Sequence, residues 1–308
     1  MERIKQALEK AREERFKAGG AAGMFGAAGS TTSTGQIMYT HTRTEEVPLT
    51  FLREMRVITA VEPGGFTDAY GILRTHVLQR LREKQWNALA VTSAGIGEGK
   101  TLTTINLAIS LAREVDYTVL LVDADLRSPG VHTYFGMHPE RGLSDYLLDD
   151  IPLSELLIHP SGIGRFVILP GGRPLENSSE MLNSPKMARL VEELKTRYSS
   201  RIVLFDLPPL LSTADTLAFS PYVDAALLVV EEGKTPVHEI ERATELLVQN
   251  TNLIGTVLNK SQGIKSSDRQ YPPRSDRVGD QPHDNRLLGA VKARLQAWSS
   301  RLPGKMRN

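Results

Sequence analysis

The stretch Ala88-Leu89-Ala90-Val91-Thr92-Ser93-Ala94-Gly95-Ile96-Gly97-Glu98-Gly99-Lys100-Thr101 decides the reading of the fold. The apolar run Ala88–Thr92 predicts a buried strand, and a helix is predicted to begin near Thr101. A strand, a glycine turn and Gly-Lys-Thr at the mouth of a helix form the context of a phosphate-binding P-loop. Ala94 stands where the first glycine usually does. The glycines let backbone N–H groups curl around phosphate oxygens, and the helix N-terminus adds its positive dipole end. Lys100 is expected to reach the β- and γ-phosphates, and the Thr101 hydroxyl to ligate Mg²⁺. The candidate nucleotide-binding residues are Gly95, Gly97, Glu98, Gly99, Lys100, Thr101 and Leu102.

Two further strand ends carry acid. In Val119-Leu120-Leu121-Val122-Asp123-Ala124-Asp125-Leu126-Arg127, Asp123 and Asp125 follow a buried strand, where open α/β sheets bind ligands. Two such carboxylates repel one another unless a cation or proton is present, and Mg²⁺ bound to ATP supplies that cation. In Ile202-Val203-Leu204-Phe205-Asp206-Leu207-Pro208-Pro209, an Asp ending an apolar strand fits a Walker B carboxylate. Pro208 and Pro209 stop the strand and stiffen the loop. Base identity is read from Asn259-Lys260-Ser261-Gln262: the guanine-reading Asn-Lys-x-Asp motif would need a carboxylate where Gln262 stands. Adenine is therefore expected, with Asn259 near the base.

Outward from these motifs, apolar strands are predicted at Ala88–Thr92, Thr118–Val122, Phe166–Leu169, Ile202–Phe205, Ala225–Val230 and Ile254–Leu258. Helices are predicted at Thr101–Arg113, Ser184–Tyr198 and Val237–Gln249. The strands are continuous rather than alternating, as in parallel strands covered on both faces. The fold class is α/β: a doubly wound, mostly parallel sheet of the P-loop NTPase type with helical N- and C-terminal appendages.

The expected organisation is a charged helix over 1–17, a flexible Gly/Ala/Ser/Thr linker over 18–52 and a P-loop domain over 53–260. A polar, Pro-containing disordered tail over 261–285 and a basic amphipathic helix over 286–308 complete it. That last segment carries Arg286, Lys292, Arg294, Arg301, Lys305 and Arg307 and no acid. Contact with the inner membrane surface or with a membrane partner is expected of it. Across the 308 residues Lys plus Arg is 37 and Asp plus Glu 36, so no global charge points to nucleic acid. There is no cysteine, which removes disulfides, Cys-ligated zinc and thiol nucleophiles. No run approaches the ~18 apolar residues of a membrane span, and Met1-Glu2-Arg3-Ile4-Lys5 does not open a signal peptide. A cytoplasmic protein is expected, peripheral to the inner face of the membrane if a partner holds it there.

Lys100-Thr101, Asp123-Ala124-Asp125-Leu126-Arg127 and Asp206-Leu207-Pro208-Pro209 together resemble the Walker A, A′ and B set of bacterial tyrosine kinases, the CpsD/CapB-type exopolysaccharide autokinases. The resemblance runs from about Thr67 to Lys260, and the opening residues are similar to the exosortase-associated branch. It implies Mg-ATP as phosphoryl donor, tail tyrosines as acceptors, and a membrane polysaccharide co-polymerase as activator. It further implies Asp123 as activator of the tyrosine hydroxyl, Thr101, Asp125 and Asp206 as Mg²⁺ ligands, and Lys100 as charge clamp. Arg127 closes the Asp-x-Asp-x-Arg motif and joins Lys100, Asp123 and Asp125 as a catalytic candidate. Two departures stand out. After Asn259 the chain has Tyr271 as its single tyrosine, the candidate phosphoacceptor. The family's ring-forming Glu-x-x-Arg-x-x-Arg is here Asp68-x-x-Gly71-x-x-Arg74, which weakens the expectation of a homo-oligomeric ring. Two alternatives stay open: a nucleotide-gated scaffold of polysaccharide assembly, and a MinD/ParA-type partitioning ATPase. The latter's extra P-loop lysine aligns with Gly95.

Overall fold

The computed structural model describes residues 42–58, 65–197 and 200–261. Its centre is an eight-stranded sheet: β1 (Arg43–Glu45), β2 (Ala88–Ser93), β3 (Thr118–Asp123), β4 (Ile158–Pro160), β5 (Phe166–Leu169), β6 (Arg201–Asp206), β7 (Ala225–Glu231) and β8 (Asn252–Asn259). The order across the sheet is β1-β4-β5-β3-β6-β2-β7-β8. Every neighbouring pair is parallel except β4 with β5. The six predicted strands are all present, and the doubly wound parallel class holds.

Side chains alternate along each strand, yet both faces are covered. Leu89, Val91, Ile202 and Leu204 enter one core with Val77, Leu81, Ile105 and Leu111. Their strand neighbours Ala88, Ala90, Val203 and Phe205 enter a second core with Met187, Leu190, Leu194 and Leu247. Helices α2 (Gly65–Lys84) and α3 (Lys100–Ala112) therefore cover one face. Helices α7 (Pro185–Thr196) and α9 (Val237–Asn250) cover the other. Two covered faces explain why the central strands read as unbroken apolar runs. Local chemistry sets some helix starts: Ser184 Oγ accepts the Met187 N–H at 3.2 Å, with Pro185 in the first turn of α7. Shorter helices are α1 (Leu49–Glu54), α4 (Leu143–Asp149), α5 (Leu153–Leu156), α6 (Ser178–Leu182) and α8 (Asp215–Phe219).

One boundary is corrected. The linker expected over 18–52 does not run to its end, because Arg43–Glu45 pairs with β4 as a parallel edge strand and Leu49–Glu54 forms α1, burying Leu52. Register with a distant segment, not local pattern, fixes that strand. The segments 1–17, 262–285 and 286–308, and Tyr271 with them, lie outside the described residues. On α2, Asp68 is exposed, and Arg74 Nε lies 3.1 Å from Glu114 Oε1 of the same chain. Among the described residues, no helix is long and apolar enough to cross a membrane.

Candidate active site

Three buried strands end side by side. Asp123 of β3 is in register with Asp206 of β6, and Val91 of β2 with Asp206 on the other side. The sequence order of the strands reverses across this point, so the loops beyond β2, β3 and β6 open a crevice at the carboxyl ends. The loop after β2 turns through Gly97 and Gly99, whose φ angles are +78° and +90°. A side chain on Gly99 would collide with the amide of Asn259, so glycine is required there on two counts.

Lys100, the first residue of α3, ties the wall together. Its Nζ lies 2.8 Å from Asp125 Oδ2, 3.3 Å from Asp206 Oδ2 and 3.2 Å from Thr101 Oγ1. Thr101 Oγ1 donates to Asp206 Oδ2 at 2.7 Å, and Thr104 Oγ1 to Asp206 Oδ1 at 3.0 Å. Burial alone would lower the Lys100 pKa, but the Asp206 and Asp125 carboxylates reverse this and hold it above its ordinary value. Burial raises Asp206 against the opposing pull of Lys100 and the Thr101 hydroxyl. Asp123 is fully buried. Its Oδ2 accepts the Gly130 and Val131 N–H groups at 2.9 and 3.0 Å, while its Oδ1 has no partner. Burial, with Asp206 beside it, pushes Asp123 up to about 7.

A buried carboxylate oxygen without a donor, beside two more carboxylates and a hydroxyl, is a set of hard oxygen ligands suited to Mg²⁺. Among the described residues no three such groups converge on one point, and Lys100 Nζ is paired with both Asp125 and Asp206. The set therefore fits a cation that arrives with phosphate oxygens rather than one held by protein alone.

Other predicted residues lie elsewhere. Arg127 does not face this cluster: its Nε and Nη2 grip Asp215 at 3.1–3.2 Å. Leu102 packs against the first core. Glu98 is buried with Oε1 accepting from the Thr235 hydroxyl. Asn259, expected near the base, donates its Nδ2 to the Glu98 carbonyl at 2.8 Å. Lys260 Nζ donates to the Gly97 carbonyl at 2.8 Å and pairs with Glu231 at 2.9 Å. Sequence reasoning missed Glu231, Thr235 and Asp215, whose ties to the site run to the distant residues Lys260, Glu98 and Arg127. It also missed Tyr134, half-buried, whose hydroxyl pKa is raised by burial and by Asp206.

Residues 89–294 match the family model described as the CobQ/CobB/MinD/ParA nucleotide binding domain. The chain is 33% identical over 220 residues to Tyrosine-protein kinase YwqD of Bacillus subtilis (strain 168), covering 71% of this chain and 91% of YwqD. It is 30% identical over 232 residues to the Succinoglycan biosynthesis transport protein ExoP of Rhizobium meliloti (strain 1021), covering 72% of this chain but 28% of ExoP. Among solved structures, the kinase domain of Escherichia coli tyrosine kinase ETK superposes with a TM-score of 0.61 at 28% identity, covering 76% of this chain and 94% of that domain.

Proposed function

Because this chain belongs to the bacterial tyrosine-protein kinases, built on the CobQ/CobB/MinD/ParA nucleotide-binding domain, we propose that it is an ATP-dependent protein-tyrosine autokinase regulating exopolysaccharide synthesis and export. The observation that carries the reading is the unpartnered Oδ1 of Asp123, buried beside Asp206 and within the field of Lys100. Mg²⁺, when bound with ATP, neutralises phosphate charge and completes the carboxylate set. Thr101, Asp125 and Asp206 would hold it. Gly95 to Thr101 would cradle the phosphates with backbone N–H groups. Lys100, already positive between two carboxylates, would turn to the transferring phosphoryl group. Asp123 Oδ1 is the candidate to orient a tyrosine hydroxyl and take its proton as the oxygen bonds to phosphorus and ADP departs. A carboxyl titrating near neutrality suits a general base.

Tyr271 is the proposed acceptor within the chain, and a membrane polysaccharide co-polymerase the proposed activator, with the protein peripheral to the inner face of the membrane. The segment 286–308 is the proposed membrane-proximal element, and the domain proposed over 53–260 is extended back to Arg43. A contact between copies is proposed without the family's full ring motif, since Arg74 is engaged by Glu114 within the chain.

Transfer from γ-labelled ATP, read with a phosphotyrosine antibody, tests this. Labelled phosphotyrosine on the chain is the expected result. Nucleotide binding without transfer would favour the scaffold, and hydrolysis without phosphotyrosine the partitioning ATPase.

A further inference from the structure

Asp215 and Thr216 open α8, one loop beyond Asp206, and neither touches the nucleotide crevice in any contact described above. Both are buried, at 0% and 1% exposure. Asp215 accepts a fork of bonds from Arg127, four residues after Asp123, and a further bond from the Ser178 hydroxyl. Thr216 Oγ1 donates to the Pro208 carbonyl at 2.7 Å, two residues after Asp206. Thr92 Oγ1 of β2 donates to that same carbonyl, also at 2.7 Å. Two adjacent residues thus hold the loop of Asp123 and Asp125 with one side chain and the loop of Asp206 with the other. Leu175 N adds a 2.7 Å bond to the Leu126 carbonyl on the first loop.

A surface-exposed Arg–Asp pair would merit little weight, but here the carboxylate is fully buried and bound on both oxygens. Planar bidentate pairing fixes orientation as well as distance, which a lysine cannot reproduce. Oxygen ligands for Mg²⁺ must meet a nearly ideal octahedron, so the spacing of the two loops matters more for that ion than for the phosphates.

We infer that Asp215 and Thr216 form a positioning joint that sets the spacing of the Asp123–Asp125 loop against the Asp206 loop, acting through Arg127 and Pro208. The joint would act on the metal-holding half of the crevice, while separate bonds from Thr92 to the Pro208 carbonyl and from the Leu210 and Leu211 N–H groups to the Ser93 and Ala94 carbonyls keep the Asp206 loop tied to the start of the glycine loop when Thr216 is changed. This inference rests on the kinase reading only in assigning those carboxylates to Mg²⁺.

The test is a titration of the full chain with a fluorescent ADP, once in EDTA and once in Mg²⁺, giving the factor by which Mg²⁺ tightens binding. Arg127→Lys and Thr216→Val are the principal variants, since Asp215→Asn risks the fold by stranding Arg127. Both are expected to bind ADP in EDTA within about twofold of wild type and to lose about tenfold of the Mg²⁺ gain. Thr216→Ser, which restores the hydroxyl, is expected to recover it. In labelled-ATP transfer the same variants should lower kcat with KM for ATP little changed. A full Mg²⁺ gain in both variants would overturn the joint. So would equal losses in EDTA and in Mg²⁺ with no recovery by serine, which mark a merely structural role. Wild-type Mg²⁺ gain without phosphotyrosine would sink the kinase reading and leave the joint standing. Absence of any gain in wild type would overturn both.

Discussion

On one side of the nucleotide crevice, Asp123, Asp125 and Asp206 crowd around Lys100, buried at the ends of two strands. On the other, the glycine loop is held by neutral and charge-assisted bonds: Asn259 to the Glu98 carbonyl, Lys260 to the Gly97 carbonyl, and Thr235 to the Glu98 side chain. The first wall is an electrostatic balance in which, among the described residues, Lys100 sets its charge against three buried acids, of which Asp123 is raised to about 7. The second is a geometric brace with several independent ties. Removing one charge from the first should therefore do far more than removing one tie from the second. Low local dielectric magnifies the difference, because an unpaired buried charge is costly while an exposed ammonium is readily replaced by water.

Lys100→Met carries the largest expected effect. It removes the cation between Asp125 and Asp206 and the contact to phosphate together, and phosphoryl transfer from labelled ATP should fall by about a thousandfold or more. Transfer at the wild-type rate would break the assignment of this wall.

Gly99→Ala strikes the second wall where it has no redundancy. The residue sits at φ +90°, and a methyl group there meets the Asn259 amide. ADP affinity, measured by fluorescence titration, should weaken by about tenfold. Adding Asn259→Ala should return part of that loss, since it removes the collision but not the backbone strain. No recovery would mean that the collision is harmless and the strain is everything.

Much of this is legible in the sequence. Lys100, Thr101, Asp123, Asp125 and Asp206 could be placed because each ends or follows an unbroken apolar strand, and parallel pairing brings such ends together. Phe166–Leu169 was legible for the same reason. The edge was not: Arg43-Thr44-Glu45 is a short polar run that looks like linker, and it is a strand only because Ile158–Pro160 lies beside it. Arg127 and Asn259 were recognised as motif residues, but their partners Asp215 and Glu98 lie 88 and 161 positions away. Asp215 by itself reads as an acid in the first turn of a short helix. Tertiary pairing gives these residues their roles, and local pattern does not carry it.

The charge balance also predicts a pH effect on the metal- and nucleotide-free protein. Asp123 titrates near 3.8 when solvated and at about 7 when folded. The folded chain thus holds the extra proton between those values. The stability this proton contributes is present below pH ~4 and lost as pH rises towards 7. Asp123→Asn has no such loss and should melt several degrees higher than wild type at pH 8, with the gap closing at pH 4 to 5. A constant gap across that range would contradict the assignment of the titration to Asp123.

Lys260→Ala should be the mildest change. Its side chain is nearly half exposed, and Lys234 remains beside Glu231. ADP affinity should change by about twofold or less. A tenfold loss would show that the brace depends on one tie after all and would erase the contrast between the walls.

The role proposed for Asp123 is on the transferring group and its acceptor rather than in holding nucleotide. The direct measurement follows phosphotyrosine formation from γ-labelled ATP and ATP affinity side by side in wild type and Asp123→Asn. Transfer by Asp123→Asn should be reduced by about a hundredfold or more with affinity within a few fold. Equal losses in both, or undiminished transfer, would contradict it.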